Sequence, residues 1–196
     1  MQHKLLLATN NKGKIQEFRI LLEGIPYQLV TPADCGITTV VDETGESLEE
    51  NAGLKATILA TESKLLALAD DSGLEVDFLG GEPGRLSARY AGTDASDAER
   101  VSYLLARLKG VPCKERSARF RCVIALATPD GDVKICTGKC EGLIAEAPKG
   151  DLGFGYDPIF FIPELGKTMA ELPMDIKNKI SHRGQAAKKV YQMLKK

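Results

Sequence analysis

Near the start of the chain the apolar positions change their period within a few residues. Leu5, Leu6 and Leu7 form an unbroken run, whereas Ile15, Phe18, Leu21 and Leu22 recur at helical spacing. The run predicts a buried strand over 4–8 and the recurrence a helix over 12–22. A second short strand is predicted at 27–30. Ser47, with Glu50 three residues on, has the form of a capping box and predicts a helix reaching about residue 66. Two apolar runs, 68–71 and 74–79, predict two separate strands, the first ending in acids. Ser96 predicts the cap of a helix through 108. Long β-type runs follow at 118–128 and 133–145, joined by Pro129-Asp130-Gly131-Asp132, a strong hairpin signal. A loop rich in Gly and Pro (148–158) leads to a short strand at 159–162, and Ser181 predicts the cap of a last helix. Alternating helices and strands followed by a long hairpin point to an α/β fold with a mixed sheet.

Composition narrows the function. The 196 residues are 43% hydrophobic, enough for one substantial core, and a single domain over 1–196 is expected. A formal net charge of -1 argues against a global electrostatic hold on nucleic acid or an anionic membrane. No apolar run approaches the ~20 residues of a membrane span, and the first apolar stretch breaks too early for a signal peptide. A cytoplasmic protein is expected. Cys35, Cys113, Cys122, Cys136 and Cys140 have no framework spacing, and the only histidines are His3 and His182. Reduced cysteines are expected, and any metal should be a hard cation held by carboxylates.

Five stretches have residue types that chemistry could use. Thr9-Asn10-Asn11-Lys12-Gly13-Lys14 joins the first strand to the first helix. Donors, lysines and a helix N-terminus suit a polyphosphate, and an asparagine acting only as a cap fits the spacing equally well. Asp70-Asp71-Ser72-Gly73 ends an apolar run, where α/β sheets bind ligands, and one carboxylate there could hold Mg²⁺ and orient a water. A solvated turn is the alternative. Asp42-Glu43-Thr44-Gly45 offers Glu43 as a second metal carboxylate, with Lys55 further along, unless these are one solvated face. Gly153-Phe154-Gly155-Tyr156-Asp157-Pro158 lets a backbone approach a flat ligand with Phe154 stacked on it, or is a tight turn with core aromatics. Lys177, His182 and Arg183 place positive charge around a helix start, against the macrodipole. A bound anion or carbonyl-rich ligand would offset that cost, and solvent exposure would lower it.

Together these stretches resemble the inosine triphosphate pyrophosphatases, also called non-canonical purine nucleoside triphosphate pyrophosphatases, over residues 5–187. The carriers are Thr9-x-Asn11-x-x-Lys14 with Glu17, DETG from Asp42 with Glu50-Asn51-Ala52 and Lys55-Ala56, ADDSGLEVDFLGGEPGRLSARYAG from Ala69, GFGYDPIF from Gly153 and SHRGQA from Ser181. Arg85-Leu86 departs from the pattern, since many members have an apolar residue and a tyrosine there. The resemblance implies an elongated α/β mixed-sheet fold with two lobes and a central active-site cleft, and a homodimer. It implies a hydrolase that converts ITP, dITP or XTP to the monophosphate and pyrophosphate with Mg²⁺. By motif, Asp71 is the proton acceptor and a metal ligand, and Glu43 lies at the metal. Thr9, Asn10, Asn11, Lys12, Gly13, Lys14 and Ser72 hold phosphates. Phe154, Gly155, Tyr156, Asp157, Lys177, His182 and Arg183 hold the nucleotide, mainly its base. Lys14 and Lys55 are expected to offset the substrate's charge in catalysis, and an Arg183 donor to pair with a 6-oxo group. A general (d)NTP pyrophosphohydrolase and a catalytically silent nucleotide-binding protein are the rival readings.

Overall fold

Leu5, Leu6 and Leu7 are all buried, so the first strand is covered on both faces. In the computed structural model, which describes residues 3–195, this strand is β1 (His3–Leu7), followed by α1 (Lys12–Leu21), β2 (Tyr27–Val30), α2 (Leu48–Ser63) and β3 (Leu66–Val76). Then come β4 (Pro83–Gly84), α3 (Asp97–Arg107), β5 (Ser117–Ala127), β6 (Val133–Ile144), β7 (Phe160–Ile162), β8 (Lys167–Thr168), α4 (Met174–Ile180) and α5 (His182–Leu194). The sheet order is β2-β1-β3-β5-β6-β7-β8, with β4 on β3. β1 pairs parallel with β2 and β3, while β7 pairs antiparallel with β6 and β8, so the sheet is mixed.

The chain forms two compact units. The first holds residues up to Asp71, Cys122–Gly138 and those from Arg183 on. Its strands sort their side chains by parity. Leu5, Leu7, Leu68, Cys122 and Ile124 pack with Phe18 of α1 and with Ala186, Ala187 and Val190 of α5. Leu6, Ala8, Ala67, Ala69, Val123 and Ala125 pack with Ala52, Ala56 and Leu59 of α2. Helices on both faces explain the unbroken apolar runs, as parallel strands require. The second unit, Ser72–Arg121 with Lys139–His182, is one-sided. Leu74, Val76, Ala118 and Phe120 face a core with Leu104, Leu108 and Phe160. The residues between them carry a partly exposed ion-pair ladder, Arg119 to Asp77, Glu75 and Glu141, and Arg121 to Glu75.

The predicted elements recur with shifts at their ends and three corrections. The runs at 68–71 and 74–79 are one strand, β3, so the acids lie in its interior instead of at its end. Gly73 permits this: a Cβ there would sit inside the van der Waals shell of the Gly84 carbonyl of β4. The helix from Ser47 stops at Ser63, where Lys64 turns left-handed at φ 58°. Ser47 does accept the Glu50 N–H, but the Glu50 carboxylate takes the Glu46 N–H at 2.8 Å instead of closing a capping box. The region before the last helix holds a separate short helix, α4, which ends at Ser181.

Gly73→Ala is expected to destabilise the chain by about 1–3 kcal/mol, because the obstacle is backbone and cannot rotate away. The midpoint of urea unfolding measures this.

Candidate functional site

In a strand, successive side chains point to opposite faces. Asp70 therefore follows Leu66 and Leu68 towards α1 and α5, and Asp71 follows Ala67 and Ala69 towards α2. Both lie within the first unit and both are buried, at 2% and 5% exposure. The solvated-turn alternative is excluded.

Asp70 is surrounded by cations. Lys14 Nζ lies 3.1 Å from its Oδ2, and Arg183 donates to the same oxygen from Nη2 at 3.1 Å. Arg183 Nη1 donates to Glu17 Oε2 at 2.7 Å, and the guanidinium lies over the Phe18 ring. Burial alone would push the Asp70 carboxyl up, but Lys14, Arg183 and Lys55 together hold it well below the carboxylate range. Arg183 is 2% exposed. The Arg183 charge at the start of α5 is thus met by two carboxylates of the chain itself, so it is not left to solvent.

Asp71 has the opposite setting. Lys55 Nζ, from α2, donates to Glu43 Oε1 at 2.7 Å and to the Asp70 carbonyl oxygen at 2.9 Å, and lies 3.7 Å from Asp71 Oδ1. Burial raises the Asp71 carboxyl and the Glu43 charge raises it further; Lys55, Lys14 and the Asn51 amide oppose this without cancelling it. Asn51 is aimed by a glycine: the Gly45 N–H donates to its Oδ1 at 2.8 Å, and a Cβ on Gly45 would collide with that oxygen. Glu43 and Asp71 therefore converge on a single positive centre, here an ammonium. Two hard carboxylates around one cationic position fit Mg²⁺, which takes one or two carboxylates and fills its remaining positions with water and phosphate. Among the described residues no group of three His, Cys, Asp or Glu side chains is arranged as a metal cage.

The first loop caps the helix that follows it. Asn11 is the cap, its Oδ1 accepting the Lys14 N–H at 3.0 Å, and its own N–H donates to Thr9 Oγ1 at 3.2 Å. Asn10 and Lys12 are exposed beside it. The choice between the two asparagines as cap is thereby made.

The second unit gathers the other expected residues. Lys177 Nζ lies 2.5 Å from Asp157 Oδ2 and 5.0 Å from the Phe154 ring centroid. Asp157 Oδ2 also accepts the Phe154 N–H at 2.9 Å. Gly153 has φ 78°, and a Cβ there would strike the Asp157 carboxylate. The Tyr156 hydroxyl donates to the Ser87 carbonyl oxygen at 2.9 Å, and the Ser87 hydroxyl accepts the Leu74 N–H at 2.8 Å. The His182 ring stacks on Phe120 with centroids 4.7 Å apart. Ser72 is partly buried in β3. Lys177 and His182 are buried and do not point to solvent.

The sequence pattern assigned no role to Phe120, and placed Glu17, Asn51 and Ser87 only within motifs. Glu17, Ser87 and Phe120 meet partners distant in the chain, which spacing does not mark.

A family model described as the Ham1 family matches residues 5–193. The chain is 51% identical over 191 residues to a dITP/XTP pyrophosphatase of Desulforamulus reducens, covering 97% of this chain and 95% of that one. It is 47% identical over 189 residues to the dITP/XTP pyrophosphatase of Bacillus subtilis, covering 96% of each. Among solved structures it superposes on a HAM1 protein from Coxiella burnetii with a TM-score of 0.89 and 42% identity, covering 98% of each chain.

Two outcomes follow from the charge pattern. Arg183→Met should cost about 3–5 kcal/mol in chemical unfolding, because it leaves Asp70 and Glu17 buried against lost partners. Adding Glu17→Gln should recover part of that loss, a non-additivity read by the double-mutant cycle. In the metal-free chain, carboxyl-carbon NMR should find Asp71 titrating above about 3.9 and Asp70 below it. The linkage signs are opposite. Asp70 stabilises the fold above its unfolded pKa and loses this as pH falls through its lowered folded value. Asp71 favours its protonated form, so its contribution is full in acid and is lost as pH rises through its raised value.

Proposed function

Because the chain belongs to the Ham1 family, we propose that it hydrolyses the non-canonical purine nucleoside triphosphates ITP, dITP and XTP to the monophosphate and pyrophosphate. The observation that carries this reading is the convergence of Glu43 and Asp71 on one cationic position, with Asp71 buried and its carboxyl raised. A buried carboxylate with raised proton affinity suits a general base, which a protein that only binds does not need.

Glu43 and Asp71 would hold Mg²⁺. When bound, Mg²⁺ supplies charge neutralisation at the phosphates and acidifies adjacent water. Asp71 accepts the proton of the attacking water. The water oxygen bonds to the α-phosphorus, the bond from that phosphorus to the bridging oxygen breaks, and pyrophosphate leaves with the electron pair. Lys14 and Lys55 offset the charge that gathers on the leaving group. Thr9, Asn10, Asn11, Lys12, Gly13 and Ser72 are proposed to take the phosphates. Phe154, Gly155, Tyr156, Asp157, Lys177 and His182 are proposed for the base. Arg183, oriented by Glu17 and Asp70, is proposed to donate to a 6-oxo group. Adenine presents an amino group there, and a buried polar mismatch of that kind discriminates by roughly 10⁴-fold or more. The near-complete coverage of relatives supports treating the chain as one functional domain. Among the described residues no helix is long and apolar enough to cross a membrane, which is compatible with a cytoplasmic enzyme. The resemblance adds a homodimer, to be measured by sedimentation equilibrium.

A panel of ITP, dITP, XTP, GTP, ATP and dNTPs, assayed for Mg²⁺-dependent pyrophosphate release, tests the proposal. Preference for the first three is expected. Comparable rates on ordinary dNTPs would make the chain a general pyrophosphohydrolase, and binding without turnover a silent nucleotide-binding protein. Hydrolysis in ¹⁸O water should label the monophosphate; label confined to pyrophosphate would move the attack away from the α-phosphorus. Asp71→Asn should lose nearly all turnover and, without metal, keep a Tm at or above that of the parent, because the amide removes an unfavourable buried charge.

A further inference from the structure

The loop 153–157 is shaped by two carboxylates, and only one of them belongs to it. The Phe154 N–H is taken by Asp157 within the loop. The next N–H, that of Gly155, donates to Asp97 Oδ2 at 2.7 Å. Asp97 is the first residue of α3, 58 positions earlier in the chain and within the same unit. Gly155 has φ 63°, and a Cβ there would meet nothing within 4 Å. The glycine is therefore required by its backbone conformation and not by lack of space, and Asp97 holds the N–H which that conformation turns outward.

Asp97 is itself held in place. Its other oxygen pairs with Arg100 Nη2, and Arg100 Nη1 donates to the carbonyl oxygens of Ala88 and Ala95. The preceding residue, Ser96, forms a complete capping box with Glu99, which fixes where α3 begins. A rigid helix start thus reaches the backbone between Phe154 and Tyr156, the two aromatics of the loop. Tyr156 is tied at its hydroxyl to Ser87, and the Phe154 ring lies under Lys177.

We propose that Asp97 is a positioning residue for the purine end of the substrate: its bond to the Gly155 N–H holds the loop, and with it the Phe154 ring, in the form that receives a base. This rests on the functional reading given above. Asp97 touches no reacting atom, so it acts on substrate affinity and leaves the chemical step alone. What the loop bond requires is an acceptor oxygen at the Oδ2 position, which an asparagine also offers, while its amide nitrogen, a donor, gives up the pair with Arg100.

The test compares the full-length chain with Asp97→Ala and Asp97→Asn. With ITP and Mg²⁺, Asp97→Ala is expected to raise KM about tenfold while kcat stays within about twofold, the pattern of lost ground-state binding. Asp97→Asn should recover a clear part of that loss, because it keeps the loop bond and loses only the Arg100 pair. Hydrogen exchange read by NMR provides a readout without substrate: the Gly155 amide should be protected in the parent and in Asp97→Asn, and unprotected in Asp97→Ala. A KM in Asp97→Ala within about twofold of the parent, a fall in kcat as large as the rise in KM, or Asn failing to rescue would overturn the proposal. So would unchanged Gly155 protection in Asp97→Ala. A parent chain inactive on ITP, dITP and XTP overturns the functional reading and the nucleotide role of Asp97 with it. The Gly155 amide then decides the loop contact by itself.

Discussion

Two adjacent residues of a strand cannot share a face. Asp70 and Asp71 are adjacent, both are buried, and β3 is covered by helices on both sides where they lie. Each carboxylate must therefore be stabilised from a different layer. α1 and α5 supply Lys14 and Arg183 on one side, and α2 supplies Lys55 and Asn51 on the other. The first unit is arranged to meet this requirement. Burying even one such charge without partners would cost several kcal/mol, comparable with the net stability of a domain.

The two solutions differ, and the difference separates an anchor from the carboxylate proposed as the base. Asp70 has more positive charge around it than it needs and stays ionised far into acid. Asp71 shares Lys55 with Glu43, and the second carboxylate raises the pKa that the lysine would lower. Neighbouring side chains of identical chemistry are thus driven apart in proton affinity by what packs above and below one strand. The anchor also fixes Lys14, whose charge reaches the neighbouring Asp71 as well.

The second unit uses carboxylates for another purpose. Asp157 and Asp97 each accept a backbone N–H from a loop whose glycines allow it to turn, and Asp157 pairs with a buried lysine as well. The loop is held by charge-assisted hydrogen bonds, which are shorter and stronger than neutral ones. A backbone that would otherwise be mobile becomes a defined surface beside an aromatic ring. The purely apolar part of this unit, around Phe120 and Phe160, lies on one side of its strands only, and the opposite side carries the ion-pair ladder of Arg119 and Arg121.

Local patterns in the chain were enough to locate most elements: the apolar run of β1, the helical spacing of α1, the Ser96 cap of α3 and the hairpin at Pro129 to Asp132 all act between near neighbours. Motif order singled out Glu43, Asp71, Lys14 and the Phe154 loop as candidates, because the residue types themselves carry the chemistry. The continuity of β3 through Gly73 was not legible, since it depends on the Gly84 carbonyl pressing against a position that looks like a turn. Nor was the role of Arg183, whose partners Glu17 and Asp70 are 166 and 113 residues away along the chain. By itself the sequence determined which residues can bear charge, cap, turn or stack, because those are properties of a side chain and its immediate neighbours. Only the tertiary structure decided which charges meet, and hence which carboxylate is an anchor and which is raised towards a base. Electrostatic energy depends on distance and burial in space, and neither is written in the order of residues.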